Sequence, residues 1–169
     1  MEEMFESTGY TAMTTLNLGG NFDTSKVISM MAMFENCGYT AMTNLNLGDK
    51  FDTSNVEDMR HMFERTGYTL MTSLKLGDKF NTSNVTSMTS MFKSCGQNAM
   101  TNLDLGPAFT KIADTNTDMF TNCGKSGAVI NAPESIYKNR TSFKKSKTDT
   151  STASGKIAVS SGRTVNPKY

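Results

Sequence analysis

The sequence predicts an α/β repeat fold, a parallel solenoid of the leucine-rich-repeat type with about four 29-residue repeats and a C-terminal cap. Three observations predict it: a long block that recurs, a strand motif in the first half of each block, and a helix-like apolar spacing in the second half. The second and third blocks agree at 18 of 29 positions. The four blocks begin at Gly9, Gly38, Gly67 and Gly96.

Each block carries the motif M-T-x-L-x-L, which predicts one short strand per repeat. In the second block this motif supplies Met42, Leu45 and Leu47. Side chains alternate between the two faces of a strand, so Leu45 and Leu47 are expected to point inward and Asn46 outward. One strand per repeat predicts a parallel sheet with strands about 4.8 Å apart. Gly48 directly follows the strand and suits a tight exit turn.

The second half of each block has a different spacing. In the second block the apolar residues Val56, Met59, Met62 and Phe63 fall at i, i+3, i+6 and i+7, which favours one face of a helix. A short second strand around Val56–Met59, followed by a single helical turn, is the alternative. The methionines recur at fixed positions and are expected to fill the core. The phenylalanines predict two internal ladders, one of Phe22, Phe51, Phe80 and Phe109 and one of Phe34, Phe63 and Phe92.

The repeats divide the chain into a repeat region at 1–124 and a C-terminal capping segment at 125–169. The fourth block loses T-S-N-V and gains Pro107, which is how a terminal repeat behaves. Within the capping segment we expect a short helix at Ser135–Phe143 and a short strand at Ile157–Ser160. The Ser/Thr/Lys-rich stretch between them, Lys144–Ser154, is expected to be mobile.

Charge is distributed unevenly along the chain. Residues 1–125 carry nine basic and fourteen acidic side chains, and residues 126–169 carry eight basic and two acidic ones. The basic segment is either a solvated tail or a segment that binds an anionic polymer or surface electrostatically. Its lysines are not interleaved with aromatic residues, which argues against nucleic-acid binding. No apolar run is long enough for a transmembrane segment, and the first residues lack an apolar leader.

The sequence has few candidates for catalytic or metal-binding residues. His61 is the one histidine, and the sequence has no Ser-His-Asp set and no phosphate-binding glycine loop, so we predict no catalytic residues, no cofactor and no enzyme. Cys37, Cys95 and Cys123 share one repeat position and are expected to be buried thiols. Cys95 and Cys123 belong to neighbouring repeats, so a disulfide between them stays open. Zinc is disfavoured because no C-x-x-C pair exists, so no metal is predicted.

Aspartates recur at the turn after each strand, at Asp49, Asp52 and Asp78. Such residues commonly accept hydrogen bonds from turn amides. Calcium binding by the acidic stack is the alternative interpretation.

The longest motif resembles a known family. The run F-D-T-S-N-V-x-x-M-x-x-M-F at Phe51–Phe63, preceded by Leu45 and Leu47, is similar to the BspA-like leucine-rich-repeat surface proteins of bacteria, and Phe80–Gly96 matches as well. The resemblance covers about 1–124. It implies a secreted or cell-surface protein without enzymatic activity that adheres to host proteins, matrix or other cells. The inserted G-Y-T-A before each strand makes these repeats longer than the commonest family form.

The start of the chain also follows the repeat. Met1 and Met4 occupy the positions that Met30 and Met33 occupy one repeat later, which indicates a fragment of a longer array. We expect this fragment to be a monomer.

A binding surface is the favoured functional site. Solenoids recognise partners along an extended face, and here that face is formed by the outward strand positions. Tyr10, Tyr39 and Tyr68 form a row in the inserted loops, which either packs inward as a ladder or is exposed to a partner. The predicted function is adhesion to a protein or glycan ligand, and the alternative is a structural spacer without a ligand. The candidate ligand-binding residues are Thr15, Asn17, Asn44, Asn46, Ser73, Lys75, Asn102, Asp104, Tyr39 and Tyr68.

Overall fold

The structure is a computed structural model that describes residues 1–138 and 164–167. Short strands and turns make up almost all of it. The strands form two parallel sheets, one of β1 and β2 and the other of β3, β4, β5 and β6 in that order. The elements are β1 (Thr15–Asn17), β2 (Asn44–Asn46), β3 (Ser73–Lys75), β4 (Asn102–Asp104), β5 (Val129–Ala132), α1 (Glu134–Lys138) and β6 (Thr164–Pro167).

The predicted fold class, an α/β leucine-rich-repeat solenoid, is wrong. Among the described residues the only helix is α1, which has five residues and lies outside the four repeats. The second half of each repeat, where a helical face was expected, is a run of turns. The strands are three or four residues long and fall into two small sheets rather than one continuous sheet.

The helix is absent because the backbone turns left-handed twice in the second half of each repeat. Ala32 has φ of 53° and Asn36 has φ of 55°, and a right-handed helix cannot continue through either value. Alternate amides in this stretch bond to the next repeat, whereas the Met33 and Glu35 N–H groups bond to carbonyls of their own repeat. The Ala32 N–H donates to the Arg60 carbonyl at 2.8 Å and the Phe34 N–H donates to the Met62 carbonyl at 2.9 Å. The repeats are therefore joined through their turns as well as through their strands.

Neighbouring repeats pair at the offset of the sequence repeat. Thr15 pairs with Asn44 in the first sheet, and Ser73 pairs with Asn102 in the second, both in parallel. The alternative second strand is reduced to one bridging residue per repeat, and these bridges run from Ser29 through Asp58 and Ser87 to Thr115. Within the described part of the chain no strand pairing joins β2 to β3, although the bridges continue across that step.

The core contains two columns of phenylalanine rings, as predicted. In one column the ring centroids of Phe34 and Phe63 lie 5.3 Å apart and those of Phe63 and Phe92 lie 5.4 Å apart, with nearly parallel planes. Phe22 departs from the predicted ladder, since it is half-buried and lies against Phe5 at 6.0 Å. The other column is stacked from Phe51 through Phe80 to Phe109. The buried methionines confirm the predicted core filling and include Met30, Met33, Met42, Met59, Met62, Met71, Met88, Met91 and Met100.

The T-S-N-V motif joins repeats through side-chain hydrogen bonds. The buried Thr53 Oγ1 donates to the Asn81 carbonyl of the next repeat at 2.7 Å. The Asn55 side-chain amide donates to the Ser25 carbonyl of the preceding repeat at 2.7 Å. The same bonds recur at Thr24, Thr82 and Asn84.

Replacing Thr53 by valine should lower the free energy of unfolding by about 1–3 kcal/mol, because the shape of the buried side chain is kept but the carbonyl of the half-buried Asn81 loses its donor. Urea denaturation measures the change. Thr43 is the matched control, since its hydroxyl also donates to a carbonyl of a neighbouring repeat but is exposed. Thr43→Val should change the stability by less than about 0.5 kcal/mol. Equal losses in the two variants would contradict a structural role for the buried bond.

The C-terminal predictions are tested in part. Helix α1 covers the start of the predicted helix at Ser135–Phe143, and residues 139–143 lie outside the described residues. The predicted strand at Ile157–Ser160 and the predicted mobile stretch at Lys144–Ser154 also lie outside them. Strand β6 was not predicted, and it pairs in parallel with β5.

Candidate functional site

The predicted strand face is exposed in the first three repeats and covered in the fourth. Asn102 is half-buried, and Asp104 is only 4% exposed, so Asp104 is not the surface residue that the alternation predicted. Its strand lies inside the second sheet between β3 and β5, and its Oδ1 accepts a hydrogen bond from the Gly106 N–H at 3.1 Å. The exposed members of the predicted set are Thr15, Asn17, Asn44, Asn46, Ser73 and Lys75.

Several polar side chains on this face are engaged within the chain. The Asn46 Oδ1 accepts from the Gly48 N–H at 3.0 Å, and Asn17 makes the same bond to Gly19. The Asn102 Oδ1 accepts from the Asn131 side-chain amide at 2.6 Å. A ligand that hydrogen-bonds to these Oδ1 atoms would compete with bonds that stabilise the exit turns and the sheet. These amide oxygens therefore stabilise the exit turns and the sheet as well as lining the strand face.

The tyrosine row is a stacked column at the surface. Ring centroids lie 4.8 Å apart between Tyr10 and Tyr39 and 4.6 Å apart between Tyr39 and Tyr68, with planes within 5° of parallel. The backbone sets this spacing, because the Thr40 N–H donates to the Tyr10 carbonyl and the Thr69 N–H to the Tyr39 carbonyl. Tyr10 is 44% exposed, and Tyr39 and Tyr68 are half-buried. The row thus combines the two alternatives: it is a ladder, and it lies at the surface.

Stacking restricts what this column can bind. Tyr39 has a parallel ring on each side, so no ligand can lie against its faces. Burial raises the pKa of the Tyr39 phenol, and the neighbouring Tyr68 and Tyr10 raise it further. Leu70 lies two residues beyond Tyr68 and is 48% exposed, so an apolar side chain adjoins the column in sequence. Leu70 was not among the predicted site residues, although it replaces the alanine that the other repeats carry at this position.

A group of charged side chains lies on the turns of the second and third repeats. Glu64 is 5% exposed, and one of its oxygens lies 2.6 Å from the His61 Nδ1. Its other oxygen lies 3.9 Å from an Arg65 nitrogen and 4.0 Å from the Lys93 ammonium. Three basic groups thus surround one buried carboxylate. This group was not predicted, because a lone glutamate between a phenylalanine and an arginine forms no recognisable motif.

Glu35 occupies the equivalent position one repeat earlier and should make stability depend on pH. Burial raises the pKa of the Glu35 carboxyl, and the negative charge of Glu64 raises it further. The protonated form of the Glu35 carboxyl is therefore favoured more in the folded state than in the unfolded state. The free energy of unfolding falls as the pH rises from about 4.5 through the raised pKa. Glu35→Gln should stabilise the protein at pH 7, and this gain should shrink as the pH falls to about 4. Thermal unfolding between these pH values measures it.

The exposed Glu57 provides the matched control for that variant. Glu57→Gln should leave the pH profile of the melting temperature unchanged. A Glu35→Gln variant less stable than the parent at pH 7 would contradict the predicted sign.

The three cysteines are buried and form no disulfide, as the favoured interpretation predicted. Burial raises the pKa of the Cys37 thiol to about 12, and burial together with Cys123 raises the pKa of Cys95. Thiols of this kind are poor nucleophiles at neutral pH.

Of the three predicted aspartates, Asp52 acts on a turn amide, as the simpler interpretation predicted, and Asp49 and Asp78 are exposed. The Asp52 Oδ1 accepts from the Ser54 N–H at 2.8 Å, and Asp23 makes the same bond to Ser25. Within residues 1–138 and 164–167, no three His, Cys, Asp or Glu side chains come together in a group that could hold a metal ion. In the same part of the chain, no helix has the length and apolar character needed to cross a membrane.

Comparison with known proteins gives one match. No curated protein and no solved structure is similar to the chain at a significant level. A family described as "Mycoplasma protein of unknown function, DUF285" matches residues 1–132, which include all four repeats and strand β5. The chain therefore belongs to the DUF285 family.

Proposed function

We propose that the chain is a non-enzymatic adhesion module of a BspA-like bacterial surface protein, displayed outside the cell. The single observation that supports this proposal is the stacked tyrosine column of Tyr10, Tyr39 and Tyr68 at the surface. Tyrosine is enriched in the residues that dominate protein interfaces, because it buries a large area at a small entropic cost. The resemblance of the F-D-T-S-N-V repeats to BspA-like proteins supports the surface location.

The geometry of the column favours a protein ligand over a glycan. A sugar stacks on an open aromatic face, but both faces of Tyr39 are covered by neighbouring rings. Ring edges, together with the exposed Leu70, suit a partner surface that combines apolar side chains with hydrogen-bonding groups.

The test measures saturable binding of the 169-residue chain to immobilised collagen, fibronectin and fibrinogen and to a glycan array. Tyr39→Ala is expected to weaken binding to a protein ligand by about tenfold or more, because it removes the central ring of the column. Ser73→Ala on the strand face is the matched control and should leave the affinity unchanged. An equal loss with Ser73→Ala, or none with Tyr39→Ala, would place the binding surface elsewhere.

A structural spacer is the second candidate function. It is favoured by the polar strand face, where Asn17, Asn46 and Asn102 already bond within the chain. A spacer predicts no saturable binding to any of these probes at concentrations up to about 1 mM.

A further inference from the structure

The two arginines of the second repeat have different surroundings. The Arg60 guanidinium donates to both carboxylate oxygens of Asp58, at 3.0 Å from Nε and 2.7 Å from Nη2. The Arg65 side chain is 47% exposed, and the carboxylate oxygen beside it, Glu64 Oε1, lies 3.9 Å from Nη1, beyond hydrogen-bonding distance. Within the described part of the chain, the planar set of N–H donors on Arg65 is therefore not used.

The Glu64 carboxylate is shared among several cations and lies below the surface. One of its oxygens lies 2.6 Å from the His61 Nδ1, and the other lies 4.0 Å from the Lys93 ammonium. The Glu64 side chain is 7% exposed, whereas the Lys93 side chain is 34% exposed. The cationic groups are thus more accessible than the carboxylate, so this part of the surface attracts an anionic group.

Arg65 adjoins the tyrosine column at the surface. The two residues between Arg65 and Tyr68 are buried, so the accessible surface passes directly from one side chain to the other. Burial raises the pKa of the Tyr39 phenol, and the positive charge of Arg65 acts in the opposite direction, so the guanidinium lies within electrostatic reach of the column. Tyrosine and arginine are the residue types that dominate protein interfaces, and they lie together here.

Charge changes sign along the column. The repeat position of Glu64 is occupied by two further glutamates in the preceding repeats, the exposed Glu6 and the half-buried Glu35. In the following repeat the same position is occupied by Lys93. A polyanion lying along the whole column would be repelled by the glutamates, whereas a localised carboxylate beside Arg65 avoids most of that repulsion.

We propose that the tyrosine column recognises an acidic protein segment, in which an Asp or Glu side chain bonds to Arg65 and apolar side chains pack on the ring edges and on Leu70. Arginine binds a carboxylate through two parallel hydrogen bonds, and the pair of Arg60 and Asp58 has that geometry in the same repeat. This inference rests on the adhesion function proposed for the column, and it specifies the chemistry of the partner.

The test compares native and modified protein ligands. Collagen, fibronectin and fibrinogen are immobilised in native form and after their carboxylates have been coupled to glycinamide with a carbodiimide, which makes them neutral amides. Arg65→Gln should weaken binding to the native ligand by about tenfold. Arg65→Lys should recover only part of that loss, because lysine keeps the charge but not the two-point geometry. On the amidated ligand, the parent and Arg65→Gln should bind equally weakly.

Arg60→Gln is the matched control, because Asp58 already occupies that guanidinium, and it should leave the affinity unchanged. Equal affinities of the parent and Arg65→Gln for the native ligand would overturn the inference, and so would equal losses in the two glutamine variants. The amidation arm uses the parent chain, so it does not depend on the folding of a variant. A parent chain that binds native and amidated ligands equally well also overturns the inference.

The variants separate this inference from the proposed function. If Tyr39→Ala weakens binding and Arg65→Gln does not, the adhesion function stands and the acidic partner is wrong. If no native ligand binds, or if Tyr39→Ala has no effect, both are wrong. Heparin, a sulfated polyanion, should not compete with the protein ligand, and competition that Arg65→Gln abolishes would mean that the site takes an anionic glycan instead.

Discussion

Phe63→Ala is expected to lower the free energy of unfolding by about 3–5 kcal/mol. The Phe63 side chain is fully buried, and its ring lies between those of Phe34 at 5.3 Å and Phe92 at 5.4 Å. Alanine removes apolar area and leaves a cavity that three repeats share, so the loss spreads across both repeat interfaces. A domain of this size is stable by about 5–15 kcal/mol, so the variant should lie close to its unfolding limit. Urea denaturation followed by circular dichroism measures the change.

Phe5 is the matched control, because it occupies the same column at its open end. Its ring stacks on one ring of the column, Phe34 at 5.4 Å, Phe22 lies tilted against it at 6.0 Å, and its side chain is half-buried. Phe5→Ala should therefore cost about 1–2 kcal/mol, roughly half the value of burying a phenylalanine. Equal losses in the two variants would contradict a core whose stability comes from rings covered on both sides.

The phenylalanine columns could be predicted because the repeat itself carries the information. Phe34, Phe63 and Phe92 recur at a constant spacing, and equivalent residues of adjacent repeats must lie side by side if each repeat covers the next. Tyr39 and Tyr68 were expected side by side for the same reason. Their exposure could not be predicted, because it depends on how far the inserted loops project.

The helix could not be excluded from the sequence, because hydropathy does not encode the sign of φ. The apolar spacing of Met59, Met62 and Phe63 is shared by a helix and by a run of tight turns. Among the residues with positive φ, Asn36 is of a type that tolerates this conformation, whereas Ala32 and Arg65 are of types that rarely adopt it. Their strain is offset by the hydrogen bonds that each turn makes to the next repeat, and no single repeat reveals those bonds.

The burial of Asp104 could not be predicted for a related reason. Strand β5 lies beside it, but Val129–Ala132 carries none of the M-T-x-L-x-L motif that marks the other strands. The sheet therefore extends beyond the last recognisable repeat, and the Asn131 amide lies across the strand face at Asn102. Alternation along a strand predicts which side a residue faces, but not how far the side chains of a neighbouring strand cover that side.

Gly48→Ala is expected to lower the free energy of unfolding by about 2–5 kcal/mol. Gly48 has φ of 78°, and a Cβ placed on it would lie 2.0 Å from the carbonyl oxygen of Gly19 in the preceding repeat. That oxygen belongs to the backbone, so relief requires β1 and β2 to separate. Gly106 has the same surroundings, with a Cβ 2.3 Å from the Gly77 oxygen, so Gly106→Ala should behave alike.

Gly77→Ala separates the steric clash from the strain of a positive φ. Gly77 has φ of 88°, but a Cβ there would meet no atom within 4 Å, so alanine should cost only the left-handed strain of about 1–2 kcal/mol. The open space arises because β2 and β3 are not paired, whereas β1 pairs with β2 and β3 with β4. Urea denaturation of the three variants therefore reports on the break between the sheets. A Gly77→Ala loss as large as that of Gly48→Ala would mean that β2 and β3 are closely packed, and the sheet would then be continuous.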